Sequence, residues 1–294
     1  MDDGKCPACV WGIATCDRPD LLCQTLASLR TAAVWDPIIV SGDSAVLADA
    51  TRAVVHEFRA TYITGPRMGA FANRNHVIDA IRPLSPSIVA LCDDDLMFDV
   101  HVGAMLRAKV EIHSPPFVLR AAIYQRGQML DVSRRSFWGF MDVSGAGAGA
   151  GPCSALSNAF FVASKEVLAG LAYDAAFPYG YSEADLSDRL RKAGVAMALV
   201  PELRAEHLAP GASVTAKDAE AARIYFNLKR LCVIEGRPFL GCVFGVLDLS
   251  RGIVAHLRRG GVTAAGAFTI QWWRGVAAFV NKCGPSRQLG SLSR

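Results

Sequence analysis

Short apolar runs at 10–15, 37–40, 62–64 and 87–92 alternate with stretches of helical period, and three of the four end in a polar cluster. A run this short and this apolar, bounded by turn-forming residues, reads as a buried strand. The intervening segments 21–30, 45–59 and 69–81 read as helices. Leu22, Leu26 and Leu29 share one face of the first, Asp20 is placed to cap it, and Pro83 stops the third. Strands that are apolar throughout and alternate with helices predict a mostly parallel sheet covered on both faces. Ligands bind such sheets beyond the carboxyl ends of the strands. That rule gathers Thr15, Asp17 and Arg18, then Asp43, then Asp93-Asp94-Asp95 along one edge.

The acidic triplet is the strongest single feature. Side chains alternate along an extended segment, so Asp93 and Asp95 face one way and Asp94 the other. Adjacent carboxylates repel, and burying them without a cation is costly. A hard divalent ion, Mg2+ or Mn2+, removes that cost and bridges to a diphosphate. The plainer alternative is a solvated acidic turn, and the preceding apolar strand favours the metal.

The second half is less regular. Strands are predicted at 117–124 and 195–200, with a polar-aromatic segment at 133–138 and a glycine-rich stretch at 144–152. Ser164-Lys165-Glu166 suits a helix start, and an amphipathic helix at 183–193 is closed by Gly194, with His207 just beyond the last strand.

Taken together, four segments in order resemble family 2 glycosyltransferases. Val10-Trp11-Gly12-Ile13-Ala14-Thr15 followed by Asp17-Arg18-Pro19-Asp20-Leu21-Leu22 is similar to their opening. Gly69-Ala70-Phe71-Ala72-Asn73-Arg74-Asn75 resembles their segment carrying an arginine and an asparagine before a helix, and 88–95 resembles their acidic metal motif. Tyr181-Ser182-Glu183-Ala184-Asp185-Leu186-Ser187-Asp188-Arg189-Leu190-Arg191-Lys192-Ala193-Gly194 resembles the motif heading their catalytic helix. The resemblance runs from Val10 to His207 and implies a GT-A-like α/β fold with a helical C-terminal extension. It implies inverting, metal-dependent transfer of a sugar from a nucleotide diphosphate donor to an acceptor hydroxyl, on a glycan, a lipid-linked molecule or a small molecule.

By position, the resemblance puts Thr15, Asp17, Arg18 and Asp43 around the nucleoside, and Arg74 near the base and phosphates. Asp93 and Asp94 fall beside the donor, Asp95 on the metal with Asp93, and His207 in the metal shell or on the diphosphate. Glu183 falls where the family usually has an aspartate as base, and Asp185 supports the site or contacts the acceptor. Apart from the resemblance, Trp138 and Tyr179 could each stack on a sugar ring as acceptor-binding residues or simply fill a core. The chain departs from the family at Ser41-Gly42-Asp43-Ser44, where paired aspartates are common, and at Glu183, one methylene longer than the usual base. Uridine diphosphate is the default nucleotide, with thymidine and guanosine diphosphates open. A nucleotidyltransferase is the nearest enzymatic alternative, but it calls for a glycine-rich, lysine-bearing loop where Cys16-Asp17-Arg18-Pro19 stands. A non-catalytic nucleotide-sugar-binding or membrane scaffold protein is the other.

The organisation that follows is a tail at 1–9, a catalytic domain at 10–215 with a nucleotide half at 10–98 and an acceptor half at 99–215, and a helical extension at 216–294. With 294 residues, 52% of them hydrophobic and 20% charged, the chain has the composition of a folded protein. A net charge of +4 does not point to nucleic acid as a partner. Nine cysteines, an odd number and several in apolar stretches, suit a reducing compartment, and the lone Cys6-Pro7-Ala8-Cys9 pair lacks the second pair of a zinc ribbon. The acidic start Met1-Asp2-Asp3 is unlike a secretory leader, and no uncharged apolar run reaches about eighteen residues, so neither a leader nor a transmembrane helix is expected. The expected place is the cytoplasm, at the inner face of the membrane if the extension binds there. Beyond residue 221 the composition shifts: 224–231 reads as an amphipathic helix, 239–249 is strongly apolar, and Trp272-Trp273 stands beside Arg274. Cations outnumber acids there, which suits helices on an anionic membrane surface, a subdomain packed on the core, or a subunit interface.

Overall fold

Strand β1 (Cys9–Thr15) is buried along almost its whole length, which is why its sequence carries no polar alternation. In this computed structural model residues 8–130, 134–142, 151–153, 155–157, 159–177, 180–208 and 216–283 are described. The chain divides into two compact units. The first comprises Met1–Arg134, Asp142–Tyr173 and Leu190–Gly211; the second comprises Arg135–Met141, Asp174–Arg189 and Ala212–Arg294. Composition alone suggests a boundary near 215. Here the last segment is joined by two short earlier ones, because packing rather than sequence order defines a core.

In the first unit β1 is followed by α1 (Pro19–Thr31), β2 (Ile38–Gly42), α2 (Ala48–Glu57), β3 (Thr61–Thr64), α3 (Ala70–Ile81) and β4 (Ile88–Asp93). Next come β5 (Leu96–Phe98), α4 (Val102–Glu111), β6 (Phe117–Gln125) and β7 (Gln128–Met129). The short strands β8 (Arg134–Arg135) and β9 (Met141–Asp142) pair with each other, and β10 (Gly151–Pro152), β11 (Phe160–Ser164) and α5 (Lys165–Leu168) follow. Beyond α6 (Ser182–Lys192), strand β12 (Ala196–His207) completes a sheet of order β10-β12-β6-β11-β4-β1-β2-β3, with β5 on β12 and β7 on β6.

Strands β3, β2, β1 and β4 are mutually parallel, β11 is antiparallel to both β4 and β6, and β12 is parallel to β6. β12 therefore runs the same way as β4, and its end lies on the same edge as those of β1, β2 and β4. The mostly parallel, helix-flanked sheet expected from the sequence is the architecture found. At its centre Trp11 stacks on Phe160 at 5.4 Å, and Phe98 meets both rings edge-on. Each such side chain contributes roughly 1.5–3 kcal/mol by leaving water. Gly12 has a packing reason: a Cβ there would run into Val77 and Ile81 on α3 and into Leu91, so glycine lets α3 lie close against the sheet.

Several local expectations change. Asp20 sits in the first turn of α1 and does not cap it; Pro19, which lacks the N–H a cap would satisfy, opens the helix. The second helix is shorter than 45–59, because the Ser44 hydroxyl receives the amides of Val46 and Leu47 and delays its start. The strand expected at 195–200 continues through an irregularity between Val200 and Arg204 to His207, so His207 ends β12 and does not follow it.

The second unit is built on α7 (Ala216–Lys229), which continues through a wider turn at 230–234 into α8 (Pro238–Cys283). A helix is found where an amphipathic one is expected at 224–231, but Ile224, Tyr225, Phe226 and Asn227 are all buried, so this part of α7 is interior on every side. Helix α8 is broken at Gly261, whose φ of 69° and ψ of −163° only glycine adopts without strain. The two arms fold back antiparallel: His256 stacks on Phe268 at 5.0 Å, and Gly245 faces Trp272. A core of Ile224, Leu228, Leu231, Phe244, Phe268 and Trp272 joins the arms to α7. Arg223, fully buried, pairs with Glu220 and Asp248 and donates to the Trp138 carbonyl, so every hydrogen-bonding direction of this interior cation points at an acceptor. Among the described residues α8 is long and apolar enough to cross a membrane by length and composition. The expectation of no such segment required an uncharged run, which Asp248, Arg251, Arg258 and Arg259 interrupt.

Candidate functional site

Four strand ends meet at one place in the first unit. Thr15 closes β1, Asp43 follows β2, Asp93 closes β4, and His207 closes β12. Register makes this exact: Thr15 lies beside Gly42 and Ala14 beside Asp93. The loop after β1 turns sharply, with Asp17 in the left-handed region at φ 54°, a conformation aspartate tolerates better than most residues. Asp17 accepts from the Ser44 hydroxyl, and Asp43 accepts from the Arg67 amide, so the two loops are held at the sheet edge.

The acidic triplet alternates as expected. Asp94 turns inward, is fully buried, and accepts from Thr15 Oγ1 at 2.5 Å and from Arg18. Asp93 and Asp95 turn the other way, and one ligand atom from each lies with a ring nitrogen of His207 inside a 4.8 Å cluster. Asp93 pairs with Arg74, and Asp95 Oδ2 accepts from Arg18 Nη1 at 2.8 Å. Asp95 Oδ1 is buried with no hydrogen bond among the described residues and faces His207 Nε2 at 3.5 Å.

Burial raises the Asp94 carboxyl to about 6, against the opposing pull of Arg18 and the Thr15 hydrogen bond. Burial and then the neighbouring Asp93 raise Asp95, with His207 and Arg18 opposing. Conversely, burial would lower Arg18, but Asp94, Asp95 and Asp93 hold it above the ordinary arginine range. Three carboxylates on this edge thus face two guanidinium groups, Arg18 and Arg74. One carboxylate from each of Asp93 and Asp95, with a buried Asp95 oxygen lacking a hydrogen bond among the described residues, and an imidazole nitrogen of His207 form a donor set that fits a divalent ion such as Mn2+ or Mg2+.

Two supporting residues escaped sequence reasoning. Asn73 on α3 accepts from Ser41 Oγ at 2.5 Å and donates to the carbonyls of Thr15 and Ser41, so one buried amide ties the ends of β1 and β2 together. Asn75 exchanges hydrogen bonds of 2.8 and 2.7 Å with the backbone of Tyr173. Both lie in the Gly69-to-Asn75 segment, where two asparagines on a helix that should be apolar inward were the available signal.

Glu183 and Asp185 belong to the second unit, in the first turn of α6. Glu183 is partly exposed, and its carbonyl accepts from Ser187. Asp185 is wholly buried: Lys229 Nζ lies 2.7 Å from Oδ1, and Arg189 Nε donates to Oδ2 at 2.9 Å. The same Lys229 amine is 2.7 Å from Asp174, which also accepts from Tyr225. Lys229 lies 44 positions along the chain from Asp185, with no sequence signal linking them. Trp138 packs within the second unit, tilted against Phe244 with Arg251 over its face. Tyr179 and most of the glycine-rich stretch at 144–152 lie outside the described residues.

No protein-family model and no curated protein matches the sequence. Solved structures do. A mannosyltransferase from Pyrobaculum calidifontis, in complex with GDP-Man and Mn2+, superposes with a TM-score of 0.55 at 12% identity, over 94% of this chain and 87% of that one. Residues 1–349 of S. aureus TarS give 0.59 at 12%, over 95% and 81%. Glucosyl-3-phosphoglycerate synthase from Mycobacterium tuberculosis, in complex with Mg2+ and uridine diphosphate, gives 0.51 at 16%, over 76% and 78%. At these identities the likeness is one of fold. The chain is a GT-A-like α/β protein with a C-terminal helical portion, and at its sheet edge it carries an Asp-Asp-His cluster.

Proposed function

We propose that the protein is a metal-dependent glycosyltransferase that moves a sugar from a nucleotide diphosphate donor to an acceptor hydroxyl, with inversion, as family 2 enzymes do. The observation carrying this reading is the cluster of Asp93, Asp95 and His207 at the ends of β4 and β12, with a buried Asp95 oxygen lacking a hydrogen bond among the described residues. Neighbours of the same fold, a mannosyltransferase and a glucosyl-3-phosphoglycerate synthase, are known in complex with Mn2+ or Mg2+ and a nucleotide, which supports it.

In this reading Asp93, Asp95 and His207 hold the divalent ion. When bound, the ion neutralises charge on the leaving diphosphate. Thr15, Asp17 and Asp43 line the nucleoside, with uridine as the first nucleotide to test. Arg18 and Arg74 pair with the acidic triplet and supply cations that can turn to the diphosphate. Asp94, held by Thr15 and Arg18, fixes the loop after β1. Glu183 is the general base: it takes the proton of the acceptor hydroxyl as the oxygen attacks the anomeric carbon from the face opposite the leaving group. One base and one displacement give inversion. Asp185, already paired with Lys229 and Arg189, positions the start of α6.

Titration calorimetry with uridine, thymidine and guanosine diphosphates, each with and without Mn2+, tests the reading. Metal-dependent binding of one nucleotide, abolished in Asp95→Asn, is expected. Nucleotide binding that ignores both the metal and the substitution would refute the metal site, and absence of binding to all three would favour a non-catalytic scaffold.

A further inference from the structure

The second unit has a surface that the catalytic reading does not use. Each arm of the α8 hairpin is a little over twenty residues long, about 33 Å at 1.5 Å per residue. Val246, Val254 and Leu257 lie outward on the first arm, and Ile270, Trp273 and Val280 lie outward on the second. Their spacings of eight and three residues on the first arm, and of three and seven on the second, make one stripe per helix. Val246 is 67% exposed and Ile270 58%, and only 28% of the most apolar eighteen-residue window is buried. Soluble monomers rarely leave so continuous an apolar face to water.

Charge selects what covers it. Between Arg237 and Cys283 the sequence holds a single acid, Asp248, and that residue is buried between Arg223 and Arg251. The exposed charges that remain, Arg237, Arg258, Arg259, Arg274 and Lys282, are all positive. Arg258 and Arg259 stand at the hairpin turn beside Gly261, and Arg274 follows the exposed Trp273. A second copy would bring like charges together, whereas an anionic lipid surface meets both the apolar stripes and the cations around them. The inner face of the hairpin is already taken: a Cβ on Gly275 would strike the Ala221 carbonyl and Ile224, and Phe244, Phe268 and Trp272 are buried against α7. An element packed on one side and carrying a buried ion network cannot be ringed by lipid, so it lies in the interface plane and does not span.

We propose that the outer face of the α8 hairpin is a docking surface for an anionic lipid bilayer, entered to the depth of its apolar stripes with Arg258 and Arg259 on the headgroups. This goes beyond the catalytic reading and does not depend on it.

The test is flotation of the purified full chain with vesicles of phosphatidylcholine alone, and of phosphatidylcholine with about a third phosphatidylglycerol. The chain is expected to float with the anionic vesicles at low salt, weakly with the neutral ones, and less as salt rises. Replacing both Arg258 and Arg259 by alanine is expected to weaken partitioning roughly thirty-fold, from about 1 kcal/mol per cation near the surface. Val246→Glu with Ile270→Glu is expected to abolish flotation with the circular dichroism melt unchanged, since both side chains are largely exposed. Failure to float with anionic vesicles overturns the proposal, as does flotation that this double variant leaves intact. Equal, salt-insensitive binding to both vesicle types overturns the role of the cations. A monomer–dimer equilibrium that the double variant abolishes, with no vesicle binding, assigns the face to a second copy.

Discussion

Glu183 and Asp185 are two residues apart and have different jobs in the proposed chemistry. Asp185 is buried and doubly paired, so its charge is already committed, whereas Glu183 is partly exposed at the start of the same helix. Glu183→Gln is expected to keep nucleotide affinity by calorimetry and to lower the transfer rate by about 10²–10⁴, the usual worth of a general base. Transfer at the parental rate would remove it from that role. Asn73 gives a second prediction at this scale. Its amide satisfies two buried carbonyls and one buried hydroxyl, so Asn73→Ala should cost about 2–3 kcal/mol in a denaturant melt and should loosen the ends of β1 and β2. The loss should exceed that of an ordinary surface substitution, which stays within about 0.5 kcal/mol.

Between elements, the tie of α7 to the segment ahead of α6 is electrostatic. Burial alone would raise the Asp174 carboxyl, but hydrogen bonds from Lys229 and Tyr225, together with the lysine charge, hold it below the ordinary aspartate range. A carboxyl lowered in the folded state stabilises the fold fully above its unfolded value, near 4, and loses that contribution as pH falls through its folded value. The acid limb of the stability curve should therefore begin below about pH 4 for this tie, and Asp174→Asn should flatten that limb in acid-unfolding measurements while lowering stability at neutral pH. An acid limb of unchanged slope in the variant would show that Asp174 is not coupled to folding. The strands β1, β2 and β4 were legible at this scale because buried parallel strands have an apolar run as their signature. Strand β5 and helix α4 were not: three residues of strand and a helix at 102–111 carry too little periodicity to stand out beside the acidic triplet.

For the whole molecule, the two units divide the ligands proposed for them. The residues proposed for the ion and the nucleotide, Thr15, Asp43, Arg74, Asp93, Asp95 and His207, lie in the first unit, and the apolar hairpin lies in the second. A ligand that binds only the folded state stabilises it by about 2.7 kcal/mol at about one hundred times its dissociation constant, roughly 5–10 °C for a unit of this size. Mn2+ with the preferred nucleoside diphosphate should raise the thermal midpoint by about that much, and Asp95→Asn should show no such rise by scanning calorimetry. An equal rise in both proteins would detach the stabilisation from Asp95.

The alternation of apolar strands and helices, the polar clusters at the strand ends and the inward–outward alternation of Asp93, Asp94 and Asp95 were all present in the sequence by itself. They depend on local periodicity and on the rule that buried strands must be apolar. What only the tertiary structure decided is which distant groups meet. His207 reaches Asp95 because β5, which begins directly after Asp95, pairs with the end of β12 so that His207 lies beside Leu96, and Lys229 reaches Asp185 because α7 is buried beside the start of α6. The same holds for the C-terminal helices. Composition marked them as apolar and cationic, but which helix is interior and which presents its apolar side to solvent depends on packing partners far along the chain, and a linear pattern does not contain them.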